Sequence, residues 1–424
     1  MYWLVETEEQ LQSFLNLKVK EAFIEVIPYN YNTHPSQNEI CALYIKPLYN
    51  SKGFIVPRTH TETFSLSIDA IIRAIEGVDV AYVRDKKEFI HYLEHPKVID
   101  VTLSSKYTPT STRAHKALYD KYPHKGDINL IVPIVKHYEF CEKIYQELES
   151  DIKEISNNLS LINPFYNNKA SLIFNIIESY GLKVNKFIFE QHFHSVEGEF
   201  VFTRYDFKTL TTRPSNKFGG VNYAALNKEN GCRKSFIPRN DILIEIDITA
   251  CHPTLLAQLI DYDYGDSNIH EVLAQMYGVD YATGKGITFK QLYGGIFEQY
   301  KELDFFKKVQ QYTDVLWDKF QNEGFIECPL SKHRFYRDKL EKMTPPKLLN
   351  YLLQSLESST NLNIMEDILR LTFDKNTKLI LYCYDSFLLD FDEKEENLLE
   401  EIKNIFIKYK FQIKVKSGYS YGFK

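Results

Sequence analysis

Paired cysteines are missing from this sequence. Its six cysteines, Cys41, Cys141, Cys232, Cys251, Cys328 and Cys383, stand apart, with no C-x-x-C pair and no Cys/His spacing that would build a zinc site. A disulfide framework and a zinc module are therefore excluded, and the thiols read as reduced core residues of an intracellular, cytoplasmic protein. Long apolar runs are missing too. No stretch approaches the ~18 residues of a membrane span, and the N-terminal MYWLVETEEQ has no basic region leading into an apolar run, so neither membrane insertion nor secretion is expected. There is no basic excess either. With 51 Lys and Arg against 57 Asp and Glu the net charge is −6, so any nucleic-acid partner must be held by basic residues placed along a track, not by bulk charge. Internal repeats and low-complexity tracts are likewise absent.

What is present is an ordinary soluble composition, 44% apolar and 25% charged, on a chain of 424 residues, which has room for two or three domains each with its own core. Residues 1–105 alternate strand-like runs (AFIEVI, EICALYIKPL, GFIVP, VDVAYV) with helical ones (EEQLQSFL, SIDAIIRAI, KKEFIHYL), a small α/β domain by pattern. SSKYTPTST, from Ser104 to Thr112, reads as a linker. Residues 106–195 read as linker and short helical segment: Ile144, Leu148, Ile152, Ile155 and Leu159 make one apolar stripe, and SLIFNIIESYGL makes a helix stopped by Gly181. Residues 196–424 mix strands and helices and hold almost all of the chemistry.

Two aspartates there are candidate metal ligands. Asp247 stands at the end of the apolar strand DILIEID, just before a run fit for a helix; Asp385 interrupts two β-rich runs in KLILYCYDSFLLDFD. Phosphoryl transfer by two metals needs carboxylates from separate strands holding ions about 4 Å apart. A helix-capping Asp and a plain hairpin turn are the alternative readings of the same residues. Between them, Lys285, Phe289 and Tyr293 recur at i, i+4 and i+8 and share one helix face, a cation and two aromatics suited to phosphate, sugar and base, or else to core packing. Gly294 and Gly295 should end that helix. Asn350 and Gln354 form another i, i+4 pair, able to read minor-groove acceptors or simply to be solvated.

Taken in order, these residues resemble the family A DNA polymerases. Thr209 to Asn216 is similar to the T-x-T-G-R-x-S-S motif, with Thr212 in place of its Gly and Arg213 as its minor-groove arginine. Arg233 to Ile237 resembles R-x-x-F-I, and Asp247 matches the first metal-binding Asp. Asn268, Ile269 and His270, followed by Ala274 and Gly278, resemble the D-I-H segment of the fingers. Lys285, Phe289, Tyr293 and Gly294 fall on K-x-x-x-F-x-x-x-Y-G, Asn350 and Gln354 on N-x-x-x-Q, and Tyr384, Asp385 and Ser386 on H-D-E. The order and spacing of seven short matches carry the resemblance. Family B enzymes share a D-x-x-S-L-Y-P-S pattern with DITACHPT, but their D-T-D is absent because Cys383 occupies its first position.

The resemblance implies an α+β right-hand polymerase, with palm and fingers in 196–424 and a short thumb before them, preceded by a degenerate RNase H-like 3′–5′ exonuclease-type domain. It implies two Mg²⁺, or Mn²⁺, on Asp247 and Asp385. Lys285, Phe289, Tyr293, His252 and His270 would bind the nucleotide, and Arg213, Asn350 and Gln354 the primer-template. Its partners would be primed DNA and dNTPs, with no membrane; a separate helicase or primase would open strands. Three departures bear on nucleotide choice: His252 replaces the Glu that blocks a ribose 2′-hydroxyl, Tyr281 stands where a phosphate-binding Arg is usual, and Ser386 replaces the Glu beside the second Asp. Synthesis of RNA, as polymerase or primase, is the alternative they raise, and a non-catalytic nucleic-acid-binding protein on the same scaffold is another. In the exonuclease-like domain Glu25 stands as a carboxylate but Ile27 occupies the place of the second acid, so proofreading is not expected.

Overall fold

The computed structural model describes residues 2–103, 128–265 and 267–423. The proposed linker Ser104–Thr112 lies outside them. The chain divides into two compact units, Met1–Ser179 and Tyr180–Lys424.

In the first unit, strands β1 (Trp3–Leu4), β2 (Val19–Pro28), β3 (Ile40–Pro47), β4 (Phe54–Pro57), β5 (Val78–Val83) and β6 (Val98–Asp100) form a mixed sheet in the order β1-β4-β3-β2-β5-β6. β2 runs antiparallel to β3 and parallel to β5. Both faces of β2 are apolar, as a strand covered on both sides requires. Ala22 and Ile24 join helices α1 (Glu8–Leu15) and α2 (Ile68–Glu76) in one core. Phe23 and Ile27 point the other way, into a second core roofed by α3 (Ile134–Asn157). Thr7 opens α1 with a capping box closed by Gln10, and Ser67 caps α2. The stripe on α3 buries Ile144, Leu148, Ile152 and Ile155, each contributing about 1.5–3 kcal/mol, and it does so against the sheet of the first unit. Leu159 was expected on that stripe, but α3 has already ended and Leu159 is exposed. KKEFIHYL forms only the single turn Lys86–Phe89. α4 (Ser171–Tyr180) ends at Gly181, whose φ of +64° is the conformation that stops a helix.

The second unit is built on an antiparallel sheet of β7 (Ile242–Thr249), β8 (Lys378–Cys383), β9 (Ser386–Phe391) and β10 (Gln412–Gly418), in the order β8-β9-β7-β10. Helices α5 (Cys251–Leu259), α6 (Ile269–Tyr277), α7 (Tyr281–Gly294) and α8 (Asp304–Glu323) follow β7. The 27-residue α9 (Pro345–Leu371), started by two prolines, and then α10 (Leu398–Lys408) complete the unit. The middle of α9 is buried on every side, including the polar run Ser355, Glu357, Ser358, Ser359 and Asn361. Two of its serines return hydrogen bonds to carbonyls one turn back, Ser358 to Gln354 at 3.0 Å and Ser359 to Ser355 at 2.7 Å.

Candidate functional site

The sheet of the second unit brings the two aspartates together. Asp247 is not the last residue of its strand; β7 runs on to Thr249, and Asp247 sits opposite Ser386 on one side and Lys414 on the other. Asp385 lies next to Ser386 in the two-residue turn joining β8 to β9, and its carbonyl accepts the Ile248 amide at 2.9 Å. Tyr384, at the head of that turn, has φ +60°, a strained conformation for an aromatic residue. The turn is held by Asn361 of α9, which donates to the Tyr384 carbonyl at 2.8 Å and to the Tyr382 hydroxyl at 3.0 Å. Both carboxylates are half-buried. Burial and the neighbouring Asp247 and Glu357 charges push Asp385 up to about 6; burial and Glu245 push Asp247 up. Two oxygen-donor side chains whose ionised forms are disfavoured by burial and by neighbouring acids are what a hard divalent cation would relieve. The residues present therefore fit magnesium.

Sequence reading missed a third carboxylate. Glu245 lies two residues before Asp247, so it shares a strand face with it, and it accepts from Ser386 Oγ at 2.9 Å and Tyr421 OH at 3.0 Å. Ser386, which replaces an acid in the family pattern, is thus hydrogen-bonded to an acid from the next strand.

The expected helix face exists. α7 is opened by Asp280, which accepts from the Thr283 amide, and closed by Gly295 at φ +104°. Gly284, Thr288, Gln291 and Leu292 face inward; Lys285 and Tyr293 are exposed and Phe289 half-buried, so the row is not core packing. The Phe289 and Tyr293 rings stack at 5.8 Å, and Lys285 Nζ stands 5.9 Å from the Phe289 centroid. His270 lies fully buried beside Phe289 and Tyr281, at 5.5 and 6.2 Å between ring centroids. Neither of its ring nitrogens has a hydrogen-bond partner among the described residues, and burial, aided by Lys285, lowers its pKa to about 4. The imidazole is neutral there. Lys285 is also close enough to lower the pKa of Asp247, which ties the cation to the acid pair.

Arg213, Asn350 and Gln354 fall into two groups. Thr211 Oγ1 donates to Gln354 Oε1 at 2.9 Å and Gln354 Nε2 to Asn350 Oδ1 at 3.1 Å, which leaves the Asn350 amide N–H groups without a protein acceptor among the described residues. Arg213 is drawn elsewhere. Its guanidinium lies 4.0 Å from the centroid of the Tyr384 ring and pairs with Glu357, an acid no sequence motif had marked. Thr212, standing where the family pattern has Gly, adopts φ +59°, the conformation for which glycine is suited. His252 bridges the same Glu357 at 2.9 Å and the Tyr293 hydroxyl at 2.8 Å.

In the first unit Ile27 is fully buried in the core under α3, and Glu25 lies 3.5 Å from Arg84. His34, His91 and Glu178 bring ligand atoms within 4.8 Å of one another. Lys87 Nζ, however, sits 2.8 Å from both Glu178 oxygens, and an ammonium already fills the place a cation would take.

No protein-family model matches the chain, and no curated protein matches it. Among solved structures it is similar to the POL domain of Pol1 from M. smegmatis in complex with DNA primer-template and dNTP, with a TM-score of 0.69, 13% sequence identity, and coverage of 99% of this chain and 99% of that one. At that identity the likeness is one of fold. Over nearly its whole length, this chain has the α+β fold of a DNA polymerase domain.

Proposed function

We propose that the chain is a template-directed DNA polymerase that extends a primer 3′ end without proofreading. One observation carries the reading: Asp247 on β7 and Asp385 in the turn before the neighbouring β9 form an acid pair, and Asp247 is within electrostatic reach of Lys285 at the foot of the Phe289 and Tyr293 row. Asp247 and Asp385 would hold magnesium, which when bound supplies charge neutralisation for the triphosphate and acidifies the primer 3′-hydroxyl. Lys285 neutralises phosphate charge, Phe289 lies against the sugar, and Tyr293 shapes the place of the templating pair. His270, neutral and fully buried against Phe289 and Tyr281, would serve the nucleotide by backing that aromatic row without adding charge. The free amide of Asn350 suits the acceptors of the minor groove, with Gln354 orienting it. Arg213 would hold the primer strand from its seat on Tyr384.

Sugar selection is assigned to His252. Both ring nitrogens are engaged within the protein, so the ring fills space and has no N–H left for a ribose hydroxyl, which favours DNA over RNA synthesis. Strand opening falls to a separate helicase or primase. The test is extension of a primed DNA template with dNTPs and with rNTPs, with and without Mg²⁺. Metal-dependent extension that prefers dNTPs is expected; no extension under any condition would leave the non-catalytic reading.

A further inference from the structure

Glu357 belongs to no motif, yet it is the most deeply buried carboxylate around the acid pair, 1% exposed in the middle of α9. A buried carboxylate is costly unless paired and hydrogen-bonded, and Glu357 has two partners from distant parts of the chain. Arg213 donates from one terminal nitrogen to Oε1 at 3.1 Å, with its Nε 3.1 Å from Oε2. His252 Nε2 lies 2.9 Å from Oε2. Burial by itself would raise the Glu357 pKa, but the hydrogen bond from His252, with the charge and hydrogen bond of Arg213, holds it below the usual carboxylate range.

An ionised carboxylate only accepts hydrogen bonds. The hydrogen between His252 and Glu357 therefore belongs to Nε2. When the ring carries only that hydrogen, Nδ1 is an acceptor, and the Tyr293 hydroxyl 2.8 Å away donates to it. The chain of donors runs Tyr293 to His252 to Glu357, with Arg213 donating from the other side. It joins α7, α5, α9 and the Arg213 loop, and it consumes the hydrogens of both the tyrosine and the histidine.

We propose that Glu357 is a specificity-determining residue: it fixes the Nε2–H form and the orientation of His252, so that the imidazole and Tyr293 present a wall with no donor free for a 2′-hydroxyl. This rests on the polymerase reading above. Glu357 touches no substrate and acts through His252 as a positioning residue. A glutamine at 357 has nearly the same shape, but its amide can donate to Nε2. The imidazole can then carry its hydrogen on Nδ1 and donate to the Tyr293 oxygen, which releases the tyrosine hydroxyl hydrogen to a ribose.

The experiment measures kcat and KM for one dNTP and the matching rNTP on primed DNA with Mg²⁺, for the full chain and for Glu357→Gln, Tyr293→Phe and the double variant. Glu357→Gln is expected to raise rNTP use relative to dNTP use about tenfold, the worth of one hydrogen bond, chiefly through a lower rNTP KM. Adding Tyr293→Phe should cancel the gain. A ratio unmoved in Glu357→Gln while His252→Ala raises it overturns the proposal. So does a gain that survives Tyr293→Phe. Should Glu357→Gln fail to fold, the ring nitrogens of ¹⁵N-histidine-labelled wild-type protein decide instead: Nε2 bearing hydrogen supports the proposal, and Nε2 without it overturns it. A wild-type chain that extends no primer with either sugar would sink the polymerase reading and the sugar role together, and the nitrogen spectrum would still report whether Glu357 sets the ring.

Discussion

The crossing of α6 and α7 makes a sharp prediction at Gly284. A β-carbon built there would stand 2.5 Å from Ala274 Cβ and 2.8 Å from Ala274 Cα. Carbon atoms pack at about 3.5–4.0 Å, so Gly284→Ala forces the helices apart by about 1 Å. Overpacking of that kind costs about 1–3 kcal/mol, and the better helix propensity of Ala returns about 0.5–1 kcal/mol. A net destabilisation of roughly 1–2 kcal/mol is expected. Gly286, two residues on in the same helix, is the control, since nothing lies within 4 Å of its would-be β-carbon. Gly286→Ala should stabilise by about 0.5–1 kcal/mol through propensity alone. The two substitutions are chemically identical and differ in sign only because of the helix crossing. Urea denaturation monitored by circular dichroism reads both, and the KM for dNTP should rise in Gly284→Ala because Lys285 is the next residue. Ala274→Gly, which removes the nearest atom, should restore part of the loss. A Gly284→Ala protein as stable as the Gly286→Ala one would refute the close backbone contact and the placement of the Lys285 row that depends on it.

Four further outcomes are expected. Asp247→Asn and Asp385→Asn should each abolish primer extension while duplex binding, read by fluorescence anisotropy, stays largely intact; extension at the wild-type rate would show the acid pair to be misassigned. Asp385 titrates at about 6 in place of 3.8, so its ionised form destabilises the fold by on the order of 3 kcal/mol, a penalty that appears as pH rises from about 4 to 6 and is complete above that. Without metal, Asp385→Asn should therefore raise the melting temperature more at pH 7.5 than at pH 4, and Mg²⁺ affinity by calorimetry should weaken below about pH 6 as the proton competes; equal gains at both pH values would contradict the repulsion. No 3′–5′ degradation of single-stranded or mismatched DNA should occur in Mg²⁺ or Mn²⁺, and degradation that survives Asp247→Asn but is lost in Glu25→Gln would overturn this. His252→Ala should raise rNTP incorporation with little change in dNTP use; a fall in rNTP use would mark His252 as a ribose contact instead.

Much of the site was legible because its signals are local. The i, i+4, i+8 row on α7, its stop at Gly295, the apolar strand leading to Asp247 and the polar break at Asp385 follow from residue type and from the 3.6 and 2.0 periodicities of the backbone, which any stretch of sequence displays. Glu245 was within reach of the same logic, since a lone acid two residues before Asp247 must share its strand face. The end of the stripe at Ile155, short of Leu159, and the single turn at Lys86–Phe89 depend on how much apolar surface the neighbours cover, and periodicity does not report that.

Glu357 was not legible at all. The run Ser355 to Asn361 reads locally as a solvated helix face, and only the packing of the second unit around α9 turns it into buried polar core. Arg213 and His252, 144 and 105 residues away, then become the partners that a buried carboxylate must have. Sequence by itself determined which faces are apolar and which side chains could do chemistry, because those follow from residue type and backbone period. The tertiary structure alone decided that Asp247 would neighbour Asp385, that Ile27 would be sealed under α3, and that both nitrogens of His252 would be occupied. Those outcomes depend on strand register and on desolvation, which arise only when distant segments pack together.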